Sequence, residues 1–189
     1  DISSDGKETV YIATDGNGVH FLSHKEQQVM RRFYHDVNDK EGIHSNSIYS
    51  LLVDDRGAVW VGHFQAGLDY SLYQNGLFRT YAYPPQFNST NLSIRSFVNR
   101  GKEKVIGSRD GLFYINESIG VVKSFVKPVL TSDLILTTCF YQGEYYIGTY
   151  GGGMMVLNPE TLSLNYFAQG DTELFQRGHV FCVKPDTKG

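Results

Sequence analysis

Cysteine is nearly absent from this sequence, proline is scarce, and no long apolar run occurs. Each shortage removes a class of protein. Two cysteines, Cys139 and Cys182, in 189 residues are too few for a disulfide framework. Neither has the clustered Cys or His partners of a zinc site. Both are expected to be free and buried, the ordinary condition of an unpaired cysteine. No apolar stretch approaches the roughly 18–20 residues of a membrane-spanning helix, so no membrane contact is expected from this segment. The first residues, "DISSDGKETV", lack the basic and apolar regions of a secretory signal. A net charge of −3 with 20% charged residues argues against nucleic acid as a partner. The six histidines are scattered. His20 and His24 lie four apart in a strand-like stretch, which spaces them about 13 Å on one face, too far for one ion. Neither a metal nor a cofactor is expected.

Aromatic residues and glycine are plentiful: 13 Tyr, 12 Phe and 20 Gly against 5 Pro, with 41% hydrophobic residues. That balance suits a sizeable core of pleated sheets joined by tight turns. The order is repetitive. "VYIATDGNGVHFL" (10–22), "VWVGHFQAGLDYSL" (59–72), "KVIGSRDGLFYI" (104–115) and "YYIGTYGGGMMVL" (145–157) share one design. Each runs from an aromatic or Val through Ile or Val to Ala or Gly, then through a polar turn ending in Gly to an apolar strand. Anchored on Tyr11, Trp60, Val105 and Tyr146, the spacings are 49, 45 and 41 residues. Periods of this size in a strand-rich chain indicate propeller blades of four strands.

The remainder of each unit agrees. A third strand follows ("VMRRFYH", "LFRTYAY", "VVKSFV", "LSLNYFA"), then a polar loop ("DVNDKEGIHSN", "PPQFNSTNL", "KPVLTSD", "GDTELFQRG"). The next strand is "SIYSLLVDD", "SIRSFVNR", "LILTTCFYQ" or "HVFCVKPD". The expected fold is an all-β propeller of four four-stranded blades within one domain, 1–189, with repeats at about 1–57, 58–103, 104–144 and 145–189. "SSDGKE" occupies the slot that "DDRG" fills later, so the first repeat is expected to begin without its innermost strand. Four blades would also close a small ring; the reading taken is a segment of a larger one.

The unit "SIYSLLVDDRGAVWVGHFQAGL" resembles the regulator-propeller repeat of hybrid two-component sensors, through Asn46, Ile48, Asp54, Gly57, Val59, Trp60, Val61, Gly62, Gly67 and Leu68. "YYIGTYGGGMMVLNPET" resembles it again through Ile147, Gly148, Thr149 and Gly151 to Gly153. Ala13 departs from the pattern, and His63 stands where Thr is usual. The resemblance implies a segment of a seven-bladed propeller in the periplasmic sensor region of a Bacteroides-type hybrid histidine kinase. It implies sensing of polysaccharide-derived saccharides, with an oligosaccharide ligand, further blades and domains of the same polypeptide, and a homodimer as partners. The segment itself would be non-catalytic.

If strands A to D of each blade run outward in chain order, the B–C turns and the D–A loops share the mouth of a central channel. The turns place Asp15, Asn17, His63, Gln65, Arg109, Asp110 and Tyr150 there. The loops add His44, Asn46, Asn91, Asp133, Arg177 and His179. Planar polar groups beside aromatic faces suit a sugar. The same Asp, Asn and Gly also serve turns for purely structural reasons. A protein-binding scaffold is one alternative. A propeller glycosidase or lyase is another and would need two carboxylates about 5–9.5 Å apart, with Asp15, Asp110 and Asp133 as candidates and Asp69 as an edge or channel-facing carboxylate. "GTYGGGMM" lacks both the Lys-Ser/Thr of a phosphate loop and a following helix, so a nucleotide is not expected. Glycosylation sequons occur at Asn88, Asn91 and Asn116.

Overall fold

A computed structural model describes residues 1–72, 77–82, 92–167 and 177–186. Asn88 and Asn91 lie outside the described residues, while Asn116 closes a strand and turns on itself, its Oδ1 accepting from the Ser118 N–H at 3.1 Å. The chain divides into two compact units, Asp1–Ile94 and Arg95–Gly189. Among the described residues the structure is all-β, with four antiparallel four-stranded sheets.

The first unit holds two of them. β1 (Ile2–Ser4), β2 (Thr9–Ala13), β3 (Val19–Ser23) and β4 (Gln28–Phe33) pair in chain order, as do β5 (Ile48–Val53), β6 (Val59–His63), β7 (Leu68–Ser71) and β8 (Arg79–Thr80). β1 corrects the expectation of a missing innermost strand. Ile2, Ser3 and Ser4 pair with Ile12, Tyr11 and Val10, and the Asp5 carboxylate then folds the next turn by accepting from the N–H groups of Lys7 and Thr9. Val19, Phe21 and Ser23 alternate inward along β3, the period expected of a strand with one covered face. β6 is buried at all five positions, so its alternation disappears. Tyr11, Phe21, Phe33 and Phe78 form an edge-to-face chain at 4.6, 4.6 and 5.1 Å, a spacing that adds to simple area burial.

The second unit repeats the plan. β9 (Ile94–Arg100), which starts on the last residue of the first unit, is followed by β10 (Glu103–Ser108), β11 (Gly111–Asn116) and β12 (Val121–Phe125) in one sheet. β13 (Ile135–Tyr141), β14 (Glu144–Thr149), β15 (Met154–Leu157) and β16 (Leu164–Tyr166) form the other. Its core gathers Val105, Leu112, Tyr114, Phe125, Ile135, Tyr145 and Ile147. Tyr145 is fully buried and its O–H donates to Glu103 Oε1 at 2.7 Å. Burial first, and that carboxylate second, push the phenol well above its ordinary range. "HVFCVKPD" forms no strand. Val180 N–H reaches the Thr149 carbonyl at 3.0 Å, a single bond without a ladder. The expected burial of both cysteines is corrected too. Both are free, but Cys139 is half-buried on β13 and Cys182 is exposed in the irregular segment beside β14.

The glycine inside the second strand has a packing reason in two of the sheets. At Gly62 a Cβ would overlap Ser50 Oγ and lie 3.0 Å from the Ile94 carbonyl; at Gly148 it would lie 2.7 Å from the Val180 carbonyl. The absent side chain lets the next segment's backbone cross close by.

The Asp of the "DDRG" turn is equally structural. Asp54 accepts from the N–H groups of Arg56 (3.0 Å) and Ala58 (2.9 Å) and from Trp60 Nε1 (3.2 Å). Burial opposes its ionisation, but these donors outweigh burial and hold the carboxyl below its usual range. Asp54→Ala is expected to destabilise the protein by about 1–3 kcal/mol in urea unfolding. An unchanged midpoint would refute this role for the motif's acid.

Candidate ligand-binding end of the sheets

Within each unit the second-to-third-strand turns meet the loops that lead into the next sheet. In the first unit, the N–H groups of Gly16 and Gly18 both donate to the Asn46 carbonyl, at 2.9 and 3.1 Å, and Ile48 N–H donates to Thr14 at 3.1 Å. Ser47 Oγ donates to the exposed Asp15 carboxylate. Gly67 N–H donates to the Leu92 carbonyl at 3.0 Å, and Gln65 N–H to Ser93 Oγ at 3.3 Å. In the second unit, Gly153 N–H reaches the Gly178 carbonyl at 3.0 Å, Tyr150 N–H the Leu134 carbonyl at 2.9 Å, and Gly152 N–H Thr149 Oγ1 at 3.1 Å. The triple glycine therefore spends these amide protons on its own framework, and they are not available to an anion. Gly151 and Gly153 have φ of 78° and 72°, and a Cβ on Gly152 would overlap Thr131 Oγ1.

One repeat departs from this plan. In three of them the residue after the small one caps its turn: Thr14, Ser108 and Thr149 each donate a hydroxyl to the carbonyl of Gly18, Gly111 and Gly153 at 2.9 Å. In the remaining repeat the position is His63, whose Nε2–H instead donates to Asp69 Oδ2 at 2.9 Å. Both side chains are wholly buried. His44, in the incoming loop, donates its backbone N–H to Asp69 Oδ2 and its Nδ1–H to the same carboxylate, each at 2.9 Å. Thr80 Oγ1 donates to Oδ1 at 3.2 Å. An ionised carboxylate can only accept, so all four partners are donors, which fixes the tautomer of both imidazoles. Burial raises the Asp69 pKa, but the hydrogen bond and charge of His63, with the bonds from His44, outweigh it. The net displacement is downward.

This network secures the loop between β4 and β5. Ile43 is buried with Phe33 and Phe78 in the core. His35 N–H donates to Asn46 Oδ1 at 2.7 Å, His35 Nδ1–H to the Ile43 carbonyl at 2.9 Å, and Phe78 N–H to the Glu41 carbonyl at 2.6 Å. The loop is thus held before any ligand arrives.

Of the candidate residues, Asp15, Asn17, His44 and Gln65 are exposed in the first unit, and Arg109, Asp110, Tyr150, Arg177 and His179 in the second. The structure joins Asp15 to the Asn46–Ser47 segment, His44 to His63 through Asp69, and Tyr150 to His179, whose rings stack at 4.0 Å and 18°. Two expectations are corrected. His63 has no exposed surface and meets no ligand directly, because it is turned into the sheet by Asp69. Asp69 itself is fully buried, neither at an edge nor facing a channel. Asp133 is also committed, accepting from the Lys127 N–H at 2.6 Å. Sequence reasoning missed Asp69 as a hub and the residues 32–39 altogether. The signal for Asp69 was a carboxylate at the slot that Phe113 and Met155 occupy elsewhere, in the repeat where His replaces Thr.

Comparison with known proteins agrees with the repeat. Residues 42–65 match the family model described as "Two component regulator propeller". The extracellular domain of BT3049 from B. thetaiotaomicron, described as a hybrid two component system, superposes with a TM-score of 0.72 at 19% identity, over 88% of this chain and 24% of that one. The extracellular domain of BT4673 from the same bacterium, described as a one component system, gives 0.71 at 21% identity over 98% and 24%. An ancestral GH74 enzyme gives 0.66 at 18% identity over 92% and 24%. Among curated proteins no sequence match is found. The chain spans about a quarter of each of these solved chains. The fold is that of a propeller segment, in which residues 42–65 match the regulator-propeller model. No helix among the described residues is long and apolar enough to cross a membrane.

Proposed function

We propose that this chain is part of the extracytoplasmic, periplasmic sensor region of a hybrid two-component histidine kinase. In this reading it is a non-catalytic segment of a seven-bladed propeller that recognises saccharides released from polysaccharides. The observation that carries the reading is the regulator-propeller match at 42–65, which falls on the strand–turn–strand unit and on the loop end containing His44. A saccharide held by the turns and loops shifts signalling only through unequal affinity for two arrangements of a sensor dimer. Reversing a 1:99 population would need roughly 10⁴-fold discrimination. The other blades and domains of the same polypeptide supply the output.

A hydrolase reading draws on the GH74 likeness. It is disfavoured by the carboxylates themselves: Asp15, Asp69 and Asp133 are all engaged as acceptors, which leaves Asp110 without a second uncommitted carboxylate among the candidates for the pair such a reaction needs. The test is calorimetry of the intact sensor region with a panel of oligosaccharides, beside kinase autophosphorylation. One glycan class is expected to bind and to change phosphorylation. Phosphorylation that responds to a glycan without any binding to the propeller would place recognition elsewhere.

A further inference from the structure

The loop fixed by Asp69 borders an open hollow. A cavity of about 150 Å³ is bounded by Arg32, Phe33, Tyr34, Asp36, Asp39, Gly42 and Ile43. A cavity near that volume takes one six-membered ring. We propose that it is a subsite for the ring of one neutral sugar residue, an inference that rests on the saccharide reading above.

The lining is built and partly uncommitted. Asp36 uses Oδ1 to accept from the Asn38 backbone N–H and Nδ2–H, at 2.9 and 3.1 Å. Asp39 uses Oδ1 to accept from the Glu41 N–H at 3.0 Å. Each carboxylate thereby fixes its turn and keeps Oδ2 without a hydrogen-bond partner among the described residues, and the Arg32 guanidinium has no ion pair among them either. Gly42 lets Asp39 lie close against the backbone, where a Cβ would stand 2.9 Å from Oδ2. Two carboxylates against one guanidinium disfavour a free anion, and the mixture of acceptors and donors matches a ligand that carries both functions on neighbouring atoms. Adjacent hydroxyls satisfy both, donating to Oδ2 and accepting from the guanidinium N–H groups. Tyr34, which is exposed, offers an aromatic face to the apolar face of a sugar ring. The anchors at Ile43, Asn46 and Asp69 hold this arrangement in place, which lowers the ordering cost of binding.

The test is calorimetry and saturation-transfer NMR on the intact protein. The probes are D-glucose, D-galactose, D-mannose, D-xylose and L-arabinose, their disaccharides, and L-serine as a zwitterion. The variants are R32A, D39N and K25A. D39N keeps the turn bond through its amide oxygen, and R32A changes an exposed strand residue, so both are expected to keep the wild-type thermal transition. At least one sugar should bind. R32A and D39N should each weaken it about tenfold to a hundredfold, and K25A, at an exposed residue of the β3–β4 turn outside the cavity, should leave it unchanged. Sugar binding that survives R32A and D39N overturns the subsite while leaving the saccharide reading intact. Binding of L-serine alone overturns the subsite's sugar chemistry, and no binding by any probe overturns both.

Discussion

Asp69→Ala is expected to lower the free energy of unfolding by about 2–3 kcal/mol, the upper part of the range for leaving buried hydrogen-bonding groups without a partner. The reason is what remains behind. Without the carboxylate, His63 keeps a buried Nε2–H with no acceptor, and the loop carrying His44 loses two bonds to one side chain. His63 Nδ1 is already buried without a partner, so the imidazole has no second anchor. The other repeats indicate the compensating change. Thr149 caps its turn with a hydroxyl, and Met155 fills the slot of Asp69. The double substitution His63→Thr with Asp69→Met should therefore be less destabilising than the sum of its parts, by about 1–3 kcal/mol in a double-mutant cycle. Additive effects would mean that the two side chains do not act as a pair.

The same carboxylate sets a pH dependence. Its folded pKa lies below the unfolded value of 3.8. Its contribution is therefore complete above that value and disappears as pH falls through the folded pKa. Wild-type protein should lose stability on acidification below about pH 4 more steeply than Asp69→Met. Equal slopes for the two would refute the assignment.

Repeats are legible because each blade solves one packing problem. The aromatic–Ile–Gly strand can be read from Trp60 to Gly62 or Tyr146 to Gly148, since a covered strand must be apolar and a close backbone crossing must lack a Cβ. Glycine-ended turns are legible for the same kind of reason. β1 was not, because "ISS" is short, has one apolar residue and owes its place to pairing with β2. The site was legible only in outline. Which end of the sheets carries turns and loops follows from strand order, and Tyr150 and His179 were both placed at that end. Whether a polar side chain faces water or a buried acceptor depends on a partner far along the chain: 25 residues separate His44 from Asp69. The loop 34–47 shows the limit most clearly. Its Asp and Asn residues look like ordinary turn formers, and they are, yet turn formation occupies only one oxygen of Asp36 and of Asp39.

Gly18→Ala should destabilise the protein by about 3 kcal/mol or more, through a left-handed backbone and overpacking together. Gly18 has φ of 70°, and a Cβ there would overlap the Phe33 carbonyl oxygen and sit 3.1 Å from Tyr34 Cα. Both obstacles are backbone, so no rotamer change relieves them. Gly6 is a matched control, with φ also 70° and nothing within 4 Å of the place a Cβ would take. Gly6→Ala should cost only about 1–2 kcal/mol, the conformational part. The difference between the two unfolding free energies isolates the contact, and equal losses would refute it. Gly18 N–H also donates to the Asn46 carbonyl, and its own carbonyl accepts from Thr14, so displacing it disturbs both ends of the loop that follows β4. Phe33 and Tyr34 border the cavity at 32–43. Any sugar bound there should be weakened by Gly18→Ala in the folded population, whereas Gly6→Ala should leave affinity unchanged. The bare turn and the loop opposite it thus form one mechanical element, in which the absence of a side chain on one strand end sets the shape available on the other.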